Sequence, residues 1–314
     1  MPEKIVIAFG GNAILRAKQK GTSEEQRANI YAACKPVADL VAQGHQVIIS
    51  HGNGPQVGAV LLQNEVAQAH TPAMPLDICG AATQGQIGYM IQQILGNMLK
   101  EQNIPCTVVS LVTQVVVNKD DSAFQAPTKP IGSFYSSEEA SCLGSEKGWV
   151  MKEDIARGGW RRVVPSPDPI SIVEREAINL LLDSGVLVVA SGGGGIPVVQ
   201  VPEGHMGVEA VIDKDLAAQR LAQDVNAQTL MILTDVSEVA VNFGTPQQEN
   251  IRHMTVRQAE DYYAQGHFKA GSMGPKVLAA ICFLRSGGTR SIITSLEAVS
   301  RALRGEAGTI ITTT

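Results

Sequence analysis

No block of one charge sign runs through this sequence: 25 Lys and Arg are interspersed with 30 Asp and Glu, for a net charge of -5 and a pI near 5.7. That balance argues against nucleic acid as the main partner, because binding a phosphate backbone draws on a broad basic face. An anion bound here has to meet a few placed lysines and backbone N–H groups. Long apolar runs are missing as well. The longest, residues 277–284, falls far below the roughly 20 residues that span a bilayer. Residues 1–9 read as a charged residue followed by a strand, without a small-residue cleavage site, so the expected location is cytoplasmic. The five cysteines, Cys34, Cys79, Cys106, Cys142 and Cys282, are odd in number, widely spaced and without a C-x-x-C pair. They read as small buried hydrophobes in a reducing compartment, which removes zinc and redox chemistry. Neither G-x-G-x-x-G nor the Walker A pattern occurs, so a dinucleotide Rossmann enzyme and a P-loop NTPase both lose support.

What is present suffices for a large core: 314 residues, 44% hydrophobic and 18% charged. That length fits one large α/β domain or two lobes sharing a cleft. Short apolar runs alternate with helical patterns from end to end, the βαβ rhythm of a mainly parallel sheet. Strands are predicted over residues 5–9, 46–50, 106–109, 186–190, 229–233 and 291–293. Most are continuously apolar, as strands covered on both faces are. A helix is predicted over residues 23–43, with Ser23 and Gln26 as a capping box. Ile30, Cys34, Val37 and Val41 keep its 3.6 period, and Gly44 stops it. Residues 118–169 break the rhythm with clustered proline and glycine and both tryptophans, Trp149 and Trp160. They read as an excursion from the sheet, a lid or small subdomain.

Three glycine-containing turns follow strands, where ligands bind in a doubly wound sheet. They are Gly10-Gly11-Asn12, His51-Gly52-Asn53-Gly54-Pro55 and Gly192 to Gly195. Glycine admits close backbone approach, and Pro55 suits the start of a helix whose N-terminus faces the ligand; together the turns describe an anion cradle. Three lysines stand in unusual contexts. Lys129 lies between Pro127 and Pro130 inside the excursion, while Lys214 and Lys276 stand at predicted helix starts. A cation near a helix N-terminus is disfavoured by the macrodipole, and an anionic ligand reverses that sign. Asp213 and Asp215 bracket Lys214, either to orient it or hold magnesium through water, or as an N-cap and a first-turn acid. His51 reads as a hydrogen-bonder within its turn, and no Ser-His-Asp or Cys-His nucleophile set can be assembled.

The chain closely resembles the carbamate kinases, of the amino acid kinase fold family. The resemblance rests on residues 8–13 (AFGGNA), 50–58 (SHGNGPQVG), 83–89 (TQGQIGY), 127–132 (PTKPIG) and 161–167 (RRVVPSP). It continues through 192–198 (GGGGIPV), 210–215 (AVIDKD), 266–268 (GHF) and 271–276 (GSMGPK). It implies an open, mainly parallel αβα sandwich with a protruding lid subdomain over about residues 118–165. Residues 1–210 would form the carbamate-side lobe and 211–314 the nucleotide-side lobe of a single domain, usually a homodimer. The implied reaction is reversible phosphoryl transfer between MgATP and carbamate, giving ADP and carbamoyl phosphate, often run toward ATP in arginine catabolism. The resemblance assigns catalysis to Lys129, Lys214, Asp215 and Lys276, and substrate binding to Gly10, Gly11, Asn12, Gly52, Asn53 and Gly54. It assigns nucleotide binding to Gly193, Gly194, Asp213, Thr234, Asp235, Met273 and Gly274, with Mg2+ held by nucleotide phosphates and water and not by protein ligands. Three departures stand out. Residues 153–164, with Arg157, read one residue longer than the usual segment. Ala8 occupies a position that is lysine in many related kinases, the pattern in which a lid lysine takes over, and Ser237 and Ala240 replace an Asp and a Tyr common in carbamate kinases. Two other readings are a kinase of this fold for another small carboxylate and a silent nucleotide-sensing regulator.

Overall fold

The structure is a computed structural model and describes residues 2–16, 18–155, 158–269 and 271–314. Its central sheet follows from strands that bury every second residue on each of two faces. Val6, Ala8, Ile48, Leu230 and Ile232 enter one core; Ile5, Ile7, Phe9, Val47, Ile49, Met231 and Leu233 enter the other. Each fully buried Ile or Phe contributes about 1.5–3 kcal/mol, so neither face tolerates a polar stripe, and the apolar runs are continuous for that reason.

The eight strands lie in the spatial order His253–Thr255, Thr309–Thr312, Arg290–Ser295, Thr229–Thr234, Lys4–Phe9, Gln46–His51, Leu187–Val189 and Val108–Ser110. All neighbours are parallel except Arg290–Ser295 and Thr309–Thr312, which are antiparallel. The second core is closed by α1 (Ser23–Ala42), by α3 (Leu76–Glu101), which follows α2 (Gly54–Ala67), and by the short helix Val299–Leu303. The first core is closed by helices Arg175–Asp183, Lys214–Asp224, Val256–Ala264 and Met273–Arg285. This is the open, mainly parallel αβα sandwich expected from the sequence. Among the described residues no helix is long and apolar enough to cross a membrane.

Three local expectations shift. The capping box of α1 is Thr22 with Glu25, one residue earlier than Ser23 with Gln26. Thr22 is extended and its hydroxyl accepts from the Glu25 N–H, whereas Gln26 is buried and donates to the Gly21 carbonyl. The strand expected from residue 106 begins at Val108, because the Cys106 N–H turns back onto the Ile104 carbonyl at 2.9 Å. Of the cysteines, Cys34 and Cys79 are buried but Cys142 is exposed, on a helix of the excursion that has only Ala140 inside.

The excursion is folded. Strands Lys129–Tyr135, Trp160–Val164 and Met151–Glu153 form a three-stranded antiparallel sheet beside the helix Ser137–Lys147. It is tied to α2 by a small apolar cluster that joins Val57 and Leu61 to Ile131 and Val164. The Tyr135 hydroxyl also donates to the Glu65 carboxylate at 3.1 Å. A second, four-stranded sheet is ordered Gly204–Gly207, Ile196–Val201, Gln114–Val117 and Pro169–Ile172, and its strands Gln114–Val117 and Pro169–Ile172 flank the excursion in sequence.

Candidate active site

The carboxyl ends of Lys4–Phe9, Gln46–His51, Leu187–Val189 and Thr229–Thr234 are adjacent in the sheet, so the turns that follow them meet. Their glycines are there for space. A Cβ on Gly10 would stand 2.6 Å from the Leu233 carbonyl oxygen, and one on Gly193 would stand 2.3 Å from Asn53 Nδ2. Ser191, Gly193, Gly194 and Gly195 all have positive φ, a left-handed run that only a glycine-rich segment adopts cheaply.

His51 is fully inside. Its Nδ1 lies 2.9 Å from the Gly52 carbonyl, and burial pushes its pKa down to about 4 despite that hydrogen bond. The neutral ring therefore donates from Nδ1, as the sequence reading of a turn hydrogen-bonder expected. The trans peptide that follows sends the Asn53 N–H the opposite way from the held carbonyl. Asn53 is the N-cap residue of α2, yet its side chain makes no cap hydrogen bond, and Pro55 lies in the first turn. The N-terminus of α2 consequently keeps backbone donors at the cleft.

Facing these donors is a charged cluster. Lys214 Nζ lies 2.5 Å from Asp215 Oδ1, and Lys276 Nζ lies 2.9 Å from Asp215 Oδ2. Lys129 Nζ reaches Asp213 Oδ2 at 2.8 Å. Asp213 Oδ1 accepts from the Asp215 N–H at 2.9 Å, so Asp213 caps its helix and holds a lysine at once. Asp213 is thus the N-cap and holds Lys129, while Asp215, in the first turn, holds Lys214. Three ammonium groups on two carboxylates leave one positive charge over. Burial works against the Lys214 charge, but Asp215 outweighs it and the pKa is raised. Lys276 is held below the ordinary lysine range, by burial and then by the charge of Lys214. Burial opposes ionisation of Asp215 too, and the two lysines overcome it and lower its pKa.

These groups line one cleft of about 740 Å3 together with Gly10, Gly11, Gly52, Asn53, Gly54, Gly193, Thr234 and Asp235. A hollow of about 380 Å3 continues from Gly10, Thr234 and Asp235 to Leu296 and Glu297. Gly194, Met273 and Gly274 do not line the cleft: Gly194 backs onto the Ile212 carbonyl, Gly274 onto that of Lys269, and Met273 packs against the core. The side chain of Asn12 and the whole of Arg157 lie outside the described residues. Ser237 is exposed, Ala240 sits in the short strand Val239–Val241, and neither lines the cleft.

The sequence reading placed the excursion over the cleft through Lys129 but did not name, as part of that wall, Arg161, which donates to the Gly132 carbonyl at 3.1 Å and stands 5.0 Å from the Phe134 ring. It also missed the buried pair Thr83 and Gln84 on α3. Gln84 donates to the carbonyls of Thr113 and Gly192 and accepts from the Thr113 N–H, fixing the Gly192 turn. Their signals were two polar residues on the inward face of a helix and their place in the matching segment 83–89, neither of which gave them a role.

Among the described residues, no three His, Cys, Asp or Glu side chains stand close enough to form a metal cage. The acidic groups present suit a magnesium ion delivered by nucleotide phosphates, which keeps most of its ligands as phosphate and water. Of the three described carboxylates on the cleft wall, Asp213 and Asp215 hold lysines and Asp235 does not.

The profile of the amino acid kinase family matches residues 3–295. The chain is 54% identical to a carbamate kinase of Pyrococcus horikoshii over 99% of its own length and 100% of that protein's. It is 48% identical to carbamate kinase 2 of Enterococcus faecalis, covering 98% of this chain and 97% of the relative. The structure of a carbamate kinase from Giardia lamblia bound to AMP-PNP superposes with a TM-score of 0.94 at 45% identity, covering 99% of this chain and 98% of the other.

Proposed function

Because the chain belongs to the amino acid kinase family, and within it to the carbamate kinases, we propose that it transfers a phosphoryl group reversibly between ATP and carbamate, giving ADP and carbamoyl phosphate. It is a kinase, a phosphotransferase. The observation that carries the proposal is the pairing of three lysines with two carboxylates opposite an uncapped helix N-terminus in one cleft.

Carbamate already carries an anionic oxygen, so neither direction of transfer needs a general base. What the reaction requires is cancellation of charge between two anions brought in line. In this reading Lys214 and Lys276, held apart and aimed by Asp215, lie along the path of the transferred phosphoryl group. Lys129 leaves Asp213 for that group as the excursion closes, and closure keeps water from two labile compounds. The N–H groups of the Gly10, Gly52 and Gly54 turns take the oxygens of carbamate and phosphoryl. Loss of one such donor costs about 3–4 kcal/mol of barrier. Magnesium, bound through the nucleotide phosphates, supplies further neutralisation of their charge. Residues 1–210 with the lid serve the carbamate side and 211–314 the nucleotide side. We further propose a cytoplasmic homodimer working toward ATP in arginine catabolism.

The test is ATP formation from ADP, magnesium and carbamoyl phosphate, with acetyl phosphate as competing donor and Lys214→Ala as the blank. Turnover that prefers carbamoyl phosphate and disappears in the variant supports the reading. Preference for acetyl phosphate points to another carboxylate kinase of this fold, and silence with both donors beside tight nucleotide binding points to a regulator.

A further inference from the structure

Asn53 presents to the cleft one end of its carboxamide, and a residue on another helix selects which end. Thr83, wholly buried, donates its single hydroxyl proton to the Gly80 carbonyl at 2.8 Å. It has only lone pairs left for its other neighbour, the Asn53 amide nitrogen at 2.8 Å. The carboxamide is therefore fixed with Nδ2 toward Thr83. Its plane is confined by Gly193, where a Cβ would fall within 2.7 Å of Cγ, Nδ2 and Oδ1 alike. Oδ1 takes no hydrogen bond from any described residue and is not sealed from solvent, and Asn53 lines the cleft. The turn thus offers N–H donors together with one side-chain acceptor, while the nearby Gly52 carbonyl is already engaged by His51.

Carbamate has two oxygens that accept and an amino group that donates; acetate has a methyl group in its place. We propose that Thr83 is a positioning residue that holds Asn53 Oδ1 as the acceptor for the amino group of carbamate, and that it thereby sets the preference for a carbamoyl over an acetyl group. The inference rests on the carbamate kinase reading above. A site built to accept from an N–H rejects the analogue that lacks it, because the acceptor is then left unpaired. Without the Thr83 hydroxyl nothing selects between the two ends of the carboxamide, which then presents Nδ2 as readily as Oδ1 in the same plane.

The experiment compares the unaltered enzyme with Thr83→Val and Thr83→Ser, using carbamoyl phosphate and acetyl phosphate as donors to MgADP. An inhibition constant replaces kcat/KM where acetyl phosphate is not turned over. In Thr83→Val the carbamoyl-to-acetyl preference falls about tenfold or more, with KM for ADP and the acetyl phosphate value unchanged. Thr83→Ser, which keeps the hydroxyl, retains the preference. Thr83→Ala carries the same test if valine lowers Tm. An equal fall for both donors, or an unchanged preference in the hydroxyl-free variants, overturns the proposal. Absence of turnover with carbamoyl phosphate in the unaltered enzyme overturns the carbamate kinase reading itself, and the inference with it.

Discussion

Gly193→Ala isolates how tightly the Asn53 side chain is placed. The added Cβ would start 2.3 Å from Asn53 Nδ2, and ordinary contact begins at 3.4 Å, so the carboxamide has to retreat by about 1 Å. A displacement of that size in a reacting complex costs about 10²-fold in rate. The backbone contributes separately, since φ at Gly193 is +68 and a left-handed alanine costs about 1–2 kcal/mol. Gly185 supplies the control: its φ is +76 and a Cβ there meets nothing within 4 Å. Both alanine variants should lose the backbone contribution of about 1–2 kcal/mol in urea unfolding, Gly193→Ala more because of the overlap with Asn53. Only Gly193→Ala should lose about 10²-fold in kcat/KM with carbamoyl phosphate. Matching activity in the two variants would refute the claim that Gly193 positions Asn53.

The charged cluster gives two more expectations. Lys129→Ala should reduce kcat by about 10²–10³-fold while leaving the urea midpoint nearly unchanged, because its ion pair with Asp213 is one-third exposed and contributes little to stability. Near-normal turnover would remove Lys129 from the mechanism. Asp215→Ala leaves two part-buried ammonium groups without their shared carboxylate and should destabilise the fold by about 2–4 kcal/mol; a urea midpoint within experimental error of the unaltered protein would contradict that. His51 predicts an acid limb. Its pKa is about 4 when folded against 6.5 unfolded, so the unfolded state binds the proton first. Stability should be complete above pH 6.5 and decline by about 3 kcal/mol as pH falls toward 4. A His51→Gln variant should lose less over the same range, and an NMR titration of His51 near 6.5 would exclude this origin.

Much of the molecule was legible because its signals are local. The strand runs were readable since both faces of Lys4–Phe9 and Thr229–Thr234 are buried, and the glycine turns since close approach admits no side chain. The long matching segments carried the family. Where a signal was local but repeated within one residue, as at Thr22 and Ser23, only backbone geometry separated the cap from the first helical residue.

The sequence by itself determined the alternating elements, the strand-end turns, the three lysines and the kinship, because each depends on φ/ψ preference, periodicity or residue order. It did not show that Lys276 and Lys214 share Asp215, that Lys129 rests on Asp213, or that Thr83 orients Asn53. Those partners are 61, 84 and 30 residues apart in the cases of Lys276–Asp215, Lys129–Asp213 and Thr83–Asn53. Their meeting depends on the spatial order of the sheet, which sets Lys4–Phe9 between Gln46–His51 and Thr229–Thr234 and Leu187–Val189 beyond. Hydrogen bonds and ion pairs form between groups the fold brings within about 3 Å, and that proximity comes from how strands stack across the chain, a property no single stretch of sequence carries.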